Sequence, residues 1–136
     1  MKPIERFTLE THDGPYETWP SRTHARVNGE RCGLTVSGYV LLRQFETPDA
    51  YLLVTDYDCP FEEAVTFTLV SKDPLKALAR RTVGAMYASC HLDDMTWADD
   101  RHLRASRPRM YAVGNPPEHA VSFLFRIDQT CKFRRV

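Results

Sequence analysis

Short runs of alternating apolar and polar residues, separated by turn residues, constrain the fold of this chain more than any other sequence feature. Residues 65–70 alternate Val, Phe and Leu with Thr and Val, and residues 121–127 repeat the pattern. A period of two is typical of a β-strand, because successive side chains point to opposite faces of a sheet. The chain is therefore predicted to be built from strands.

Asn28-Gly29 marks the clearest turn. Both residue types tolerate positive φ, which a two-residue type I′ hairpin requires at its two central positions. The turn predicts these cross-strand pairs: Val27 with Glu30, Ala25 with Cys32, and Thr23 with Leu34. In that register the apolar side chains share one face and the Arg and His side chains share the other, as expected for a half-buried sheet.

The next strand is predicted to run through residues 34–45 and to return as residues 51–54 after a turn at 47–49. A three-residue loop there would place Leu42 opposite Val54, and Gln44 opposite Leu52. The chain would then continue as a meander of hairpins.

The second half of the chain contains one ambiguous segment. Residues 74–83 have helix-end signals, with Asp73 as a cap and Gly84 as a stop, but the neighbouring hairpins favour another strand. Both alternatives stay open. Residues 86–92 alternate as a strand, and residues 110–113 are the predicted hairpin partner of 121–127.

These elements predict a mainly β fold of antiparallel hairpins, forming a barrel or a two-sheet sandwich with at most one short helix. The length of 136 residues, with 43% hydrophobic and 26% charged residues, fits a single domain over residues 1–136. The first residues carry no apolar run of the kind a signal peptide has, and no later run suggests a membrane span. We therefore expect a soluble, cytoplasmic protein.

Cysteine and histidine spacing indicates no cofactor or metal site. The four cysteines lie far apart, without the short spacing of a zinc knuckle or a redox motif, and we expect reduced thiols. The acidic runs lack the alternating acids and glycine of a calcium loop. Turn formation explains these acids without a metal.

Cys90, His91 and Asp93 form the run that most resembles a hydrolase site. Nucleophilic catalysis needs an imidazole that reaches the thiol and a carboxylate that orients the imidazole. Neighbours on a strand point to opposite faces, so Cys90 and His91 would diverge. A hydrolase is therefore the weakest of the functional hypotheses.

The charges are segregated along the chain although the net charge is zero. Residues 44–71 carry acids and no Lys or Arg, whereas Arg residues follow one another from Arg101 to Arg109. No nucleic-acid recognition motif accompanies that basic run, so it indicates a solvated face rather than nucleic-acid binding.

Acidic turns that also carry aromatic residues favour recognition of a basic protein partner, since binding surfaces combine aromatic anchors with charged rims. The candidate partner-binding residues are Tyr57, Asp58, Trp97, Asp99 and Asp100. We therefore expect a non-enzymatic binding protein with an acidic recognition surface. The alternative is a small-ligand carrier that uses the cavity of a β-barrel.

Overall fold

The computed structural model describes residues 1–57, 64–84, 94–108, 120–128 and 132–135. Within these ranges no helix has the length and apolar character needed to cross a bilayer. One 3₁₀ turn covers Tyr16–Thr18, and the remaining elements are strands. The strands are β1 Lys2–Pro3, β2 Phe7–Leu9, β3 Thr23–Val27, β4 Glu30–Val36, β5 Val40–Glu46, β6 Ala50–Asp56, β7 Ala64–Ser71, β8 Ala77–Gly84, β9 Asp94–Trp97, β10 His102–Pro108, β11 Ala120–Ile127 and β12 Phe133–Arg135.

The strands form three antiparallel sheets. The central sheet has the order β1-β5-β6-β7-β8, the N-terminal sheet β2-β3-β4, and the C-terminal sheet β12-β11-β10-β9. Most neighbours in space are also neighbours in sequence, which is the arrangement that consecutive hairpins produce.

The central sheet is covered on both faces. Leu52 and Phe67 pack on one side with Leu103 and Phe125 of the C-terminal sheet. Leu53 on the opposite face joins a second cluster built mainly from the N-terminal sheet. Full burial of one such side chain contributes roughly 1.5–3 kcal/mol, so these two clusters hold the three layers together.

The fold class predicted from the sequence, mainly β with antiparallel hairpins, is confirmed. A closed barrel is wrong, because the described strands form three separate sheets, and the layered packing corresponds to a β sandwich. The barrel prediction failed because alternation shows that a strand has two faces without showing what covers each face.

The short helix considered for residues 74–83 is also wrong. Residues 77–84 form strand β8, which pairs with β7 from Ala64↔Gly84 to Val70↔Ala77. Asp73 lies in the turn between the two strands instead of capping a helix. Pairing with a long buried neighbour therefore outweighed the local helix signals.

The hairpin at Asn28-Gly29 is confirmed, since both residues have positive φ and Val27 pairs with Glu30. Farther from the turn the predicted register is wrong: a bulge shifts the ladder by two residues, and Thr23 pairs with Val36. Gly33, which has a φ of +80°, lies in the bulge. An even shift keeps the predicted apolar face inside.

The strand predicted over residues 34–45 is divided in two. β4 ends at Val36 in the N-terminal sheet, and β5 begins at Val40 in the central sheet. Gly38, with a φ of +127°, lies in the crossing between them. The predicted strand includes Gly38, but the chain changes from one layer to the other at this residue.

The β5–β6 hairpin is tighter than predicted. The backbone N–H and the side-chain hydroxyl of Thr47 both donate to the carbonyl of Ala50, so the turn holds only Pro48 and Asp49. Next to the turn the register places Phe45 opposite Leu52, one residue from the prediction, and a bulge between Leu41 and Arg43 then restores the predicted offset at Leu41↔Thr55. A slip of one residue exchanges the two faces of a strand, which is why the turn matters.

β7 and β11 confirm the two alternating segments predicted as strands, at residues 65–70 and 121–127. The described partners of β11 are β10 and β12. The predicted strands at residues 86–92 and 110–113 lie outside the described residues.

Thr68 offers a test of the packing between the central and N-terminal sheets. Its buried hydroxyl has no hydrogen-bond partner among the described residues. An unsatisfied buried hydroxyl costs about 1–3 kcal/mol, so Thr68→Val should raise the free energy of unfolding by about 1 kcal/mol in urea titrations. Thr66 is the matched control, because its hydroxyl bonds that of Thr82 at 3.1 Å. If Thr66→Val stabilises the protein as much as Thr68→Val, the difference in hydrogen bonding between the two hydroxyl groups would be contradicted.

Candidate functional site

An aromatic pocket lies where the chain crosses from the N-terminal to the central sheet. Its cavity volume is about 290 Å³. The lining, called the aromatic pocket below, consists of Glu10, Thr11, His12, Tyr16, Trp19, Tyr39, Val40 and Tyr57. These side chains come from the loop of residues 10–22, from the crossing and from the end of β6.

Close backbone contact at the crossing places two of the tyrosines side by side. The N–H of Tyr39 donates to the carbonyl of Asp56 at 2.7 Å, and the hydroxyl of Thr55 donates to the carbonyl of Ser37 at 2.5 Å. A Cβ on Gly38 would lie 2.6 Å from the Asp56 carbonyl oxygen, so only glycine fits without a shift. Tyr39 and Tyr57, the residues that follow this contact on each strand, therefore meet.

Tyr39 is the central ring of the aromatic pocket. Its centroid lies 5.0 Å from that of Trp19 at 90°, 5.1 Å from Tyr57 at 82°, 5.3 Å from His12 at 74° and 5.7 Å from Tyr16 at 89°. Edge-to-face contacts of this kind contribute about 0.5–1.5 kcal/mol each beyond area burial.

The hydrogen-bond donors of three of these rings are used within the protein. The hydroxyl of Tyr39 donates to the carbonyl of Pro20 at 2.7 Å, and that of Tyr57 donates to the carbonyl of Ser21 at 3.0 Å. The indole N–H of Trp19 faces the carbonyl of Asp13 at 3.2 Å. These bonds close the loop onto the sheet and fix the ring orientations. The lining that remains to a ligand is mostly apolar.

Glu10 fastens the start of the loop to the N-terminal sheet. Its carboxylate accepts hydrogen bonds from Arg26 at 2.8 Å and from Arg31 at 2.6 and 3.1 Å. The hydrogen bond from Arg31 is the largest cause that lowers the pKa of Glu10 to about 2, and Arg26 adds to it against the opposing effect of desolvation. Glu10 therefore stays charged and engaged over the whole physiological pH range.

A second cavity, of about 370 Å³, borders Trp97 in the C-terminal sheet. Trp97 packs against the buried ring of Phe45, and its indole nitrogen is buried without a hydrogen-bond partner in the described part of the chain. The lining also contains the cationic side chain of Arg104. A cationic group therefore lines this cavity, just as Arg26 and Arg31 lie behind Glu10 at the aromatic pocket.

The two predicted acids beside Trp97 are used locally. Asp99 accepts the backbone N–H groups of Arg101 and His102, both at 2.8 Å. The bond from Arg101 first, and the His102 side chain second, lower the pKa of Asp99. Asp100 forms an ion pair with the amino group of Met1. Both carboxylates thus have partners inside the fold.

Among the predicted partner-binding residues that the structure describes, Tyr57 lies apart from Trp97, Asp99 and Asp100. Tyr57 follows β6, whereas Asp49, which contacts Arg101 beside Asp99 and Asp100, precedes β6. Eight residue steps along an extended strand correspond to about 26 Å. Tyr57 belongs to the aromatic pocket, Trp97 to the second cavity, and Asp58 lies outside the described residues. Partner binding at each position stays a prediction.

Sequence reasoning missed most of the aromatic pocket, namely His12, Tyr16, Trp19 and Tyr39. A signal was present: loop 10–22 places a Tyr and a Trp among Gly14, Pro15 and Pro20, residue types that keep a segment on the surface. Tyr16 is indeed 42% exposed. Aromatic residues in a loop that cannot enter a sheet indicate either a loop anchor or a binding surface.

Comparisons of the chain with protein-family models, with curated proteins and with solved structures found no match. The described residues contain no group of three or more His, Cys, Asp or Glu side chains placed to hold a metal ion. The aromatic pocket is therefore interpreted from its own geometry.

Gly38 tests whether the crossing builds the aromatic pocket. Gly38→Ala should lower the free energy of unfolding by at least about 2 kcal/mol, because the new methyl group meets backbone atoms of Asp56. Gly33→Ala is the control: Gly33 also has positive φ, but no atom lies within 4 Å of the added Cβ. It should lose about 1 kcal/mol from backbone strain alone. Equal losses in chemical denaturation would contradict the close contact.

Glu10 gives a pH test. Its pKa falls on folding from 4.5 to about 2, so the carboxylate contributes stability that is present above pH 4.5 and lost as the pH falls through 2. Glu10→Gln should be less stable than the wild type at neutral pH, and the difference should narrow steadily below pH 4.5. Urea denaturation at several pH values measures this difference.

Glu17 is the control for this experiment, because it lies exposed in the same loop and has no ion pair within the described residues. Glu17→Gln should change the stability little at any of these pH values. A difference between the wild type and Glu10→Gln that stays constant down to pH 2 would contradict the ion pair with Arg26 and Arg31.

Proposed function

We propose that this protein is a non-enzymatic binding protein that recognises a basic segment of a partner protein by receiving one cationic side chain in the aromatic pocket. The supporting observation is that four aromatic rings line the pocket while the polar donors of Tyr39, Tyr57 and Trp19 are engaged internally. Ring faces carry partial negative charge and attract cations. A sugar or another ligand that needs donors from these rings would find them occupied.

Charge in loop 10–22 supports the same class of partner. Asp13 precedes the 3₁₀ turn and Glu17 lies within it; both are exposed and form no ion pair within the described residues. Arg22 is the one Lys or Arg of the loop. It lies close enough to Arg80 for their repulsion to lower the pKa of Arg80, after the larger effect of desolvation. Arg22 is not part of the pocket lining.

The dimensions suit a side chain rather than a larger molecule. A volume of about 290 Å³ lies at the lower limit of cavities that enclose drug-sized ligands. A Lys or Arg side chain inserts one narrow cationic group and leaves its backbone on the rim, where Asp13 and Glu17 can contact neighbouring basic residues.

The other two hypotheses have less support. The carrier hypothesis relied on the interior of a closed barrel, and the described strands form layered sheets instead. Cys90, His91 and Asp93, the residues of the hydrolase hypothesis, lie outside the described residues. In this proposal the acidic recognition surface lies around Tyr57 and loop 10–22 rather than around Trp97.

A peptide titration tests the proposed function. The probe is a short synthetic peptide of alternating Lys and Gly, compared with the same peptide carrying Gln in place of Lys. We expect amide NMR shifts in loop 10–22 and near Tyr39 for the Lys peptide alone. Raising NaCl from about 0.05 M to about 0.5 M should weaken binding several-fold, because exposed charges are screened.

Tyr16→Ala is the variant of choice, since Tyr16 is 42% exposed and its removal costs little core packing. Loss of one ring from a cation site should weaken binding about fivefold. Leu78→Ala is the matched control, because Leu78 is 38% exposed on β8 and does not line the pocket. Equal binding of the Gln peptide, or shifts confined to residues around Trp97, would contradict the proposed function.

A further inference from the structure

We infer that the cation received by the aromatic pocket is the N-methylated ammonium group of a lysine side chain, bound more tightly than unmodified lysine or arginine. This inference rests on the proposed function and specifies its ligand. The observation behind it is that the carboxylate in the pocket lining already accepts three hydrogen bonds from two arginines of the protein itself.

Both oxygens of Glu10 are occupied. Oε1 accepts hydrogen bonds from Arg26 at 2.8 Å and Arg31 at 2.6 Å, and Oε2 accepts a second one from Arg31 at 3.1 Å. The two guanidinium groups carry more charge than the single carboxylate of Glu10, so Glu10 gives a bound cation no net attraction. An aromatic cation site with a free carboxylate would suit a primary ammonium, but this carboxylate already has its partners.

Unmodified lysine would enter with three N–H donors that need acceptors. Each donor taken from water without a partner costs free energy, and more so when it carries charge. The ring nitrogen Nε2 of His12 is also engaged, with the hydroxyl of Thr23 at 3.0 Å. The engaged side chains therefore offer an unmodified ammonium few acceptors. A trimethylated ammonium has no N–H group, so it does not pay the free-energy cost of unsatisfied donors.

The angles between the rings also favour a methylated ammonium. Tyr39 stands at 90° to Trp19 and at 82° to Tyr57, so the cluster presents faces in more than one direction. Methyl groups carry the charge of a quaternary ammonium outward and can contact several faces at once. Such contacts are the usual means of recognising quaternary ammonium groups, and desolvation makes them stronger.

The test measures dissociation constants of one peptide in five forms by NMR titration of the full chain. The peptide carries a single central lysine that is unmodified, monomethylated, dimethylated or trimethylated, or is replaced by an uncharged tert-butyl analogue of the same shape. We expect affinity to rise with methylation, the trimethylated form binding about tenfold tighter than unmodified lysine. The tert-butyl analogue should lose most of that gain, because it fills the pocket without charge.

Two variants connect the selectivity to the pocket. Trp19→Ala should abolish the preference for the trimethylated peptide, whereas Leu78→Ala should keep it. Far-ultraviolet circular dichroism establishes that each variant is folded. A trimethyl preference that survives Trp19→Ala in the folded protein would overturn the assignment to this pocket.

The remaining outcomes separate this inference from the proposed function. If unmodified lysine binds as tightly as the trimethylated form, the methyl-lysine inference fails and the proposed function stands. If none of the charged peptides binds, both fail. Choline serves as a second probe: binding within about threefold of the trimethylated peptide would overturn the assignment to a protein side chain in favour of a free quaternary ammonium.

Discussion

Where the chain leaves the N-terminal sheet and enters the central sheet, the backbone at Gly38 lies directly against the backbone of Asp56. Hydrogen bonds on either side of this contact, from Tyr39 to Asp56 and from Thr55 to Ser37, attach the crossing to the end of β6. The crossing lets β4 and β5 belong to different layers. The same contact also determines which aromatic residues become neighbours.

The layers in turn explain the burial of the central strands. β6 and β7 send alternate side chains into two hydrophobic clusters, one against each outer sheet. Even the threonine face of β7 is buried, with Thr66 paired to Thr82 and Thr68 unpaired among the described residues.

Local chemistry made part of this structure predictable. Asn28-Gly29 predicts its turn because few residue types accept two consecutive positive φ angles, and the alternation in residues 65–70 predicts β7. The divided strand at Gly38 and the choice of strand at residues 77–84 were not predictable in the same way. Each depends on a neighbour distant in sequence, Asp56 in one case and β7 in the other.

The candidate site was harder still, because it brings together segments that no local pattern connects. Tyr57 is predicted as a binding residue because acids surround it in the sequence. In the structure it contacts Tyr39 of the crossing, which in turn contacts Trp19 of loop 10–22. Trp97 was grouped with Tyr57 by composition, while the sheet places it beside Phe45. Tyr57 and Trp97 are separated by the length of β6. Their proximity to acids in the sequence does not reveal this separation.

One measurement tests most directly whether the aromatic rings of the pocket bind a cation beside the engaged carboxylate of Glu10. Intermolecular nuclear Overhauser effects between the methyl groups of a trimethyl-lysine peptide and the protein report which rings they contact. Contacts to ring protons of Trp19, Tyr39 and Tyr57 are predicted. Contacts to Trp97 instead, or a bound peptide whose methyl groups contact no aromatic ring, would contradict cation recognition in the aromatic pocket.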